Sequence, residues 1–93
     1  MGETAVTPTK TSRESWRLIQ PKLGKRQRQV LQVFLDSPST WVWSDRELSM
    51  MTHLPINVVT PRRGELYKKG LIEPADVRWD DETKRRVQMW RLK

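Results

Sequence analysis

The chain has 93 residues and a formal net charge of +7, from 18 Lys and Arg against 11 Asp and Glu. That length allows one domain with a modest core; with no Cys and a single His, disulfides, thiolate zinc sites and histidine-rich metal sites are excluded. No apolar run nears the ~18 residues of a membrane span and the N-terminus has no signal-peptide-like apolar stretch, so the expectation is a small, soluble, cytoplasmic domain, with nucleic acid the first partner to test.

Residues 1–22 read as a flexible basic arm, rich in Thr and Ser and interrupted by Pro8 and Pro21. A short helical turn over residues 12–20 would put Trp16 and Ile19 on one face. Two readings stay open: a tail whose Trp packs on the domain, or an arm that follows DNA into a groove. The remaining residues, 23–93, form the domain. Residues 24–36 predict an amphipathic helix, with Gln27, Val30, Leu31 and Phe34 at i, i+3, i+4 and i+7. Ser37-Pro38 ends it. Residues 40–43 carry two Trp and a Val, and predict a short strand.

Ser44-Asp45-Arg46-Glu47 fits a capping box, so a second helix starts at Ser44. Leu48 and Met51 follow at helical spacing, and the helix breaks at residues 52–55, with His53 in the turn. A third helix covers roughly residues 55–69 and stops at Gly70, in the position that favours a left-handed glycine. Pro61 fits best if Asn57 is the N-cap, because Pro is tolerated only near a helix start. Residues 71–79 and 85–92 read as the strands of a hairpin joined by a polar turn. Pro74 suggests an irregular or edge position in the first strand. Trp41, Trp43 and Trp90 are expected in one small three-stranded sheet with at least one of Trp41 and Trp43 exposed, and two readings stay open: a Trp-rich small core, or a contact surface for a protein partner or a second copy.

Basic charge is spread over several segments. Residues 55–70 hold Arg62, Arg63, Lys68 and Lys69 against Glu65. Residues 83–93 hold Lys84, Arg85, Arg86, Arg91 and Lys93. The exception is acidic: Glu73, Asp76, Asp80, Asp81 and Glu82 accompany Arg78. Its spacing lacks the glycine of an EF-hand-type loop, and the reading is a solvated turn that discourages unspecific contact. No phosphate loop, nucleophile elbow or metal-ligand set occurs, so neither catalysis nor a cofactor is expected.

The order of elements is helix, short strand, helix, turn, helix, hairpin. The stretch SDRELSMMTHLPINVVTPRRGELYKKGLIE, closed by VQMWRL, resembles the winged helix-turn-helix DNA-binding family over residues 25–92. The resemblance implies a mainly helical α+β fold: three helices with a small antiparallel sheet, made of a short strand plus a two-stranded wing. It also implies a double-stranded DNA-binding regulator of transcription, of bacterial or phage type, nucleoid-associated if bacterial. The chain departs from the pattern at His53, where Gly is usual, and at the acidic wing tip, where Lys or Arg would suit DNA better.

The third helix can be weighed on its own residues. At 100° per residue, with Val59 set toward the core, Leu66 lies within about 20° and Arg63 within about 40° of it. Asn57, Pro61, Gly64 and Lys68 fall on the far side, with Thr60 on the flank. Asn57 can pair bidentately with adenine, and Thr60 offers a hydroxyl and a methyl; a plain N-cap is the other reading of Asn57. Gly64 on an open face has no helix-propensity rationale; close approach of DNA would explain it, and a neutral surface glycine is the other reading. Arg62 and Arg63 could reach guanine or phosphate, although the Arg63 stem could equally lie along the core edge. Lys68, Lys84, Arg85 and Arg86 are phosphate-contact candidates. Lys25, Arg26 and Arg28 could touch the backbone from the other side. The alternative class is a protein-interaction module on the same fold, in a transcription, replication or phage assembly. RNA binding has less in its favour, since no stacking platform is evident.

Overall fold

A computed structural model describes residues 22–93; the expected N-terminal arm and its turn near Trp16 lie outside them. The described elements are three helices followed by a hairpin: α1 (Lys25–Asp36), α2 (Asp45–Thr52), α3 (Ile56–Lys68), β1 (Ile72–Asp80) and β2 (Arg85–Leu92). Each boundary has a local chemical cause. Gly24 opens α1, and its N–H donates to Gln27 Oε1 at 3.0 Å. At the other end of α1, the Ser37 hydroxyl donates to the Val33 carbonyl at 3.0 Å, and the indole N–H of Trp43 donates to Ser37 Oγ at 3.1 Å.

The capping box of α2 forms as the sequence predicts. Glu47 N–H donates to Ser44 Oγ at 3.1 Å, and Ser44 N–H donates to Glu47 Oε1 at 2.9 Å. His53 caps α2 in the left-handed region, φ 60°. Two hydroxyls of α2 fix the turn beyond it: Ser49 Oγ donates to the Leu54 carbonyl, and Thr52 Oγ1 accepts from Leu54 N–H. The chain therefore enters α3 directly after Pro55. The Pro55 carbonyl accepts from Val58 N–H at 2.9 Å and Val59 N–H at 3.1 Å. Asn57 is thus the second residue of the helix and not its cap, and Pro61 lies inside the helix. Pro61 has no N–H, so the Asn57 carbonyl goes without its helical donor. Both groups are on the exposed face, where water can serve instead.

The end of α3 is a Schellman turn. Leu71 N–H donates to the Leu66 carbonyl and Gly70 N–H to the Tyr67 carbonyl, with Gly70 at φ 77°. Leu66 and Leu71 are both buried, so the turn also closes an apolar contact that aims the chain into β1.

β1 and β2 pair antiparallel, from Ile72 opposite Leu92 to Asp80 opposite Arg85. The ladder shifts register between Pro74 and Val77, so Ala75 and Asp76 together face one residue of β2. Pro74 marks this bulge. The strand expected at residues 40–43 reduces to one bridge: Trp43 and Trp90 exchange backbone hydrogen bonds of 2.8 and 2.7 Å. Trp41 instead stays outside the sheet and 53% exposed. Its N–H is already turned back to the Pro38 carbonyl, at 2.9 Å, and cannot extend a ladder.

The core gathers Val30, Leu31 and Phe34 of α1, Leu48 of α2, Val59 and Leu66 of α3, and Ile72, Trp90 and Leu92 of the hairpin base. This is the mainly helical α+β arrangement the resemblance implies, with the third helix supported from behind. Among the described residues, no helix is long and apolar enough to cross a membrane.

Candidate nucleic-acid interface

Helix α3 buries Val59 and Leu66 completely and turns its other side to solvent. Asn57, Thr60, Pro61 and Lys68 are all exposed. Gly64 sits among them, and a Cβ added there would meet no atom within 4 Å. Nothing among the described residues therefore requires glycine at position 64. The Asn57 side chain, relieved of a capping role, makes no hydrogen bond among the described residues. The angular reading of this helix and its observed burial agree.

The two arginines of α3 are engaged within the protein. Arg63 forms a fork-to-fork pair with Asp45 at the start of α2: Nε to Oδ1 and Nη2 to Oδ2 are both 2.8 Å. Its guanidinium carbon also lies 4.3 Å from the centroid of the Trp90 ring, within cation–π range. Thr60 Oγ1 donates to the same carboxylate at 3.1 Å. Arg62 turns the other way and donates through Nη2 to Glu65 Oε2 at 2.8 Å. Glu65 Oε1 accepts from Gln27 Nε2 of α1 at 2.7 Å. The Gln27 hydrogen bond, seconded by Arg62 and Lys69, holds the Glu65 carboxyl below its usual range. A shallow groove lined by Gly24, Lys25, Arg26, Gln27, Arg62 and Glu65 marks where the start of α1 meets α3.

Asp45 and Glu65 were not singled out from the sequence. The only signal for Asp45 was the position of Arg63 near the core edge, where a guanidinium needs a carboxylate from a neighbouring element. The partner lies 18 residues away, and no local spacing rule identifies it.

Away from these pairs, several cations make no ion pair among the described residues: Lys25 and Arg28 on α1, Lys68 on α3, Lys69 after it, and Lys84, Arg85 and Arg86 on the wing. All of these are exposed. The acidic wing tip does not neutralise α3. Asp80 and Glu82 pair with Arg46 on α2, and Arg78 pairs with Asp76. The Asp80 carboxyl is held below its usual range, first by its hydrogen bond from Thr83, then by the Glu82 N–H and by Arg46. An open cleft of about 970 Å³ separates the outer hairpin from α2 and α3, with Ile56, Thr60 and Arg63 on one wall and Trp79, Arg85 and Arg86 on the other.

Three helices, a tight turn between the second and third, and a two-stranded hairpin behind an uncovered third helix define the architecture. The chain folds as a winged helix. Two solved structures share the arrangement. One, a "possible transcriptional regulator" from Methanosarcina mazei Go1, superposes with a TM-score of 0.67 at 18% identity, over 86% of this chain and 64% of that one. The other is the PcaV transcriptional regulator of Streptomyces coelicolor in complex with its natural ligand, with a TM-score of 0.56 at 18% identity, over 100% of this chain and 67% of that one. The winged-helix chain thus spans about two thirds of each neighbour's length. No family model and no curated sequence matches it.

Proposed function

We propose that this winged helix binds double-stranded DNA and regulates transcription, with α3 in the major groove. The observation that carries the reading is the face of Asn57, Pro61, Gly64 and Lys68. Among the described residues it is uncovered, polar and slender, and none of them gives its glycine a purpose. A groove-reading helix needs such a front and an apolar back. Asn57 and the Thr60 methyl are the base readers, and Lys68 with Lys84, Arg85 and Arg86 grips phosphate. Lys25 and Arg26 approach from the start of α1. Arg62 can add a contact by leaving Glu65, at the cost of a solvated ion pair. Arg63 is assigned to support, since contact with DNA would require it to abandon both Asp45 and Trp90. Both fold neighbours are described as transcriptional regulators, which favours the same role here.

The test is a fluorescence titration against a pool of random duplexes and the sequences enriched from it, at two salt concentrations. Asn57→Ala should lower affinity for enriched sequences by roughly 1–3 kcal/mol and relax preference at one position. Lys68→Ala should weaken all duplexes alike and reduce the salt slope by about one. Unchanged affinity and preference in both variants would remove α3 from the interface. A protein-interaction role on the same fold rests on the exposure of Trp41 and Trp79, at 53% and 60%. It gains if no duplex binds while a defined partner protein is retained through those two residues.

A further inference from the structure

The register shift between Pro74 and Val77 divides the hairpin into two halves. The inner half is anchored, with Ile72, Trp90 and Leu92 in the core. The outer half contributes no core residue, and Val77 and Trp79 along it are exposed. A two-stranded ribbon without a packed face is marginal by itself, and a bulge is where a strand bends. Something other than packing must set the angle at which the outer wing stands.

The tip supplies it. Arg46 of α2 reaches Glu82 Oε1 at 2.7 Å and Asp80 Oδ2 at 3.6 Å. Asp80 in turn orders the tip: its Oδ1 accepts from Glu82 N–H at 3.1 Å and its Oδ2 from Thr83 Oγ1 at 2.8 Å. Its carbonyl accepts from Lys84 N–H at 2.8 Å, with Lys84 at φ 57°. The next residues, Arg85 and Arg86, are exposed and have no acidic partner among the described residues. Two of the acids that look misplaced on a DNA-binding wing, Asp80 and Glu82, are thus turned toward α2, and the free cations follow directly behind them.

We propose that Arg46 is a positioning residue for the wing: its pairs with Asp80 and Glu82 hold the outer hairpin so that Arg85 and Arg86 meet the same duplex as α3. The role of the tether rests on the DNA-binding reading above; the tether itself does not. Exposed pairs of this kind bias an equilibrium by up to about fivefold, so the wing is held at a preferred angle and not locked. The tether also has a directional signature. Removing two negative charges near DNA should tighten binding by plain electrostatics, whereas removing the tether should weaken it.

The chain has no Cys, so spin labels can be placed at Met51→Cys on α2 and Val77→Cys on the wing, both exposed positions. The label-to-label distance should be narrowly distributed in this background and broaden in both Arg46→Ala and Asp80→Asn/Glu82→Gln. The same charge-neutralised pair, without labels, should bind duplex DNA about two- to fivefold more weakly. An unchanged distance distribution in both variants, or tighter DNA binding by Asp80→Asn/Glu82→Gln, overturns the proposal. Distances that broaden in a chain that binds no duplex keep the tether, and overturn the DNA reading together with the purpose given to Arg46.

Discussion

At the scale of single residues, the informative positions are those where the fold gives no reason for the side chain present. Gly64 is the clearest. In mid-helix a glycine is less favourable than alanine by about 1 kcal/mol, and its Cβ position is open space. Gly64→Leu should therefore stabilise the protein by roughly 0.5–1 kcal/mol, read as a raised denaturant midpoint. The same substitution should abolish tight DNA binding, because the added side chain stands where a base edge or sugar must approach. Higher stability with undiminished binding would show that α3 does not enter the groove by this face. Opposite signs in two measurements separate a functional glycine from a neutral one. Asn57 was legible only in part: its side of the helix followed from angular spacing, but its supposed capping role did not hold. The Pro55 carbonyl already accepts from the Val58 and Val59 N–H groups, so the helix starts before Asn57 and its amide side chain has no cap to make.

At the scale of elements, one arginine joins three of them. Arg63 leaves α3, pairs with Asp45 at the start of α2, and covers Trp90 of β2. Its side chain is 18% exposed, so the two hydrogen bonds are only partly screened. Arg63→Ala should cost roughly 2–3 kcal/mol, from charge-assisted hydrogen bonds and the ring contact. Arg63→Lys should recover little, since an ammonium cannot make the fork to the carboxylate. Equilibrium unfolding of the two variants checks both statements; a loss below about 0.5 kcal/mol in each would reduce the joint to a surface pair. This joint also marks where sequence reading ends. The helices were legible because their signals are local: the α1 stripe, the Ser44–Glu47 box, Gly70 after Lys69. The hairpin and its irregularity at Pro74 were legible for the same reason. The strand at residues 40–43 was not, because two aromatic residues beside a Val score as strand whether or not an edge is there to receive them. Only Trp43 finds one, on Trp90. Arg63 and Asp45 belong to the same class of fact, since contacts between elements are settled by how the helices pack.

At the scale of the whole molecule, the described residues divide charge between cations without an ion pair and carboxylates engaged within the fold. Glu65 ties α1 to α3 through Gln27 and Arg62, and Asp80 orders the wing tip and meets Arg46. Both carboxyls are held below their usual range, Glu65 chiefly by Gln27 and Asp80 chiefly by Thr83. The sign follows from proton binding. Between the lowered folded value and the ordinary unfolded one, the unfolded chain binds more protons, so stability rises with pH. The contribution is complete above the ordinary carboxylate range and is lost as pH falls through the lowered folded values. A second effect runs the same way: 18 Lys and Arg stay charged while 11 carboxylates are neutralised, and repulsion grows across the molecule. A variant separates the two. In thermal melts between pH 2.5 and 6, Glu65→Gln should be less stable than the parent above about pH 5 and should converge with it in acid, because the variant keeps the Asp80 contribution and the general repulsion but loses the part that belongs to Glu65. Two melting curves that stay parallel over the whole range would mean that the α1–α3 tie does not depend on the Glu65 charge, and the acid sensitivity would then belong to Asp80 and the net charge.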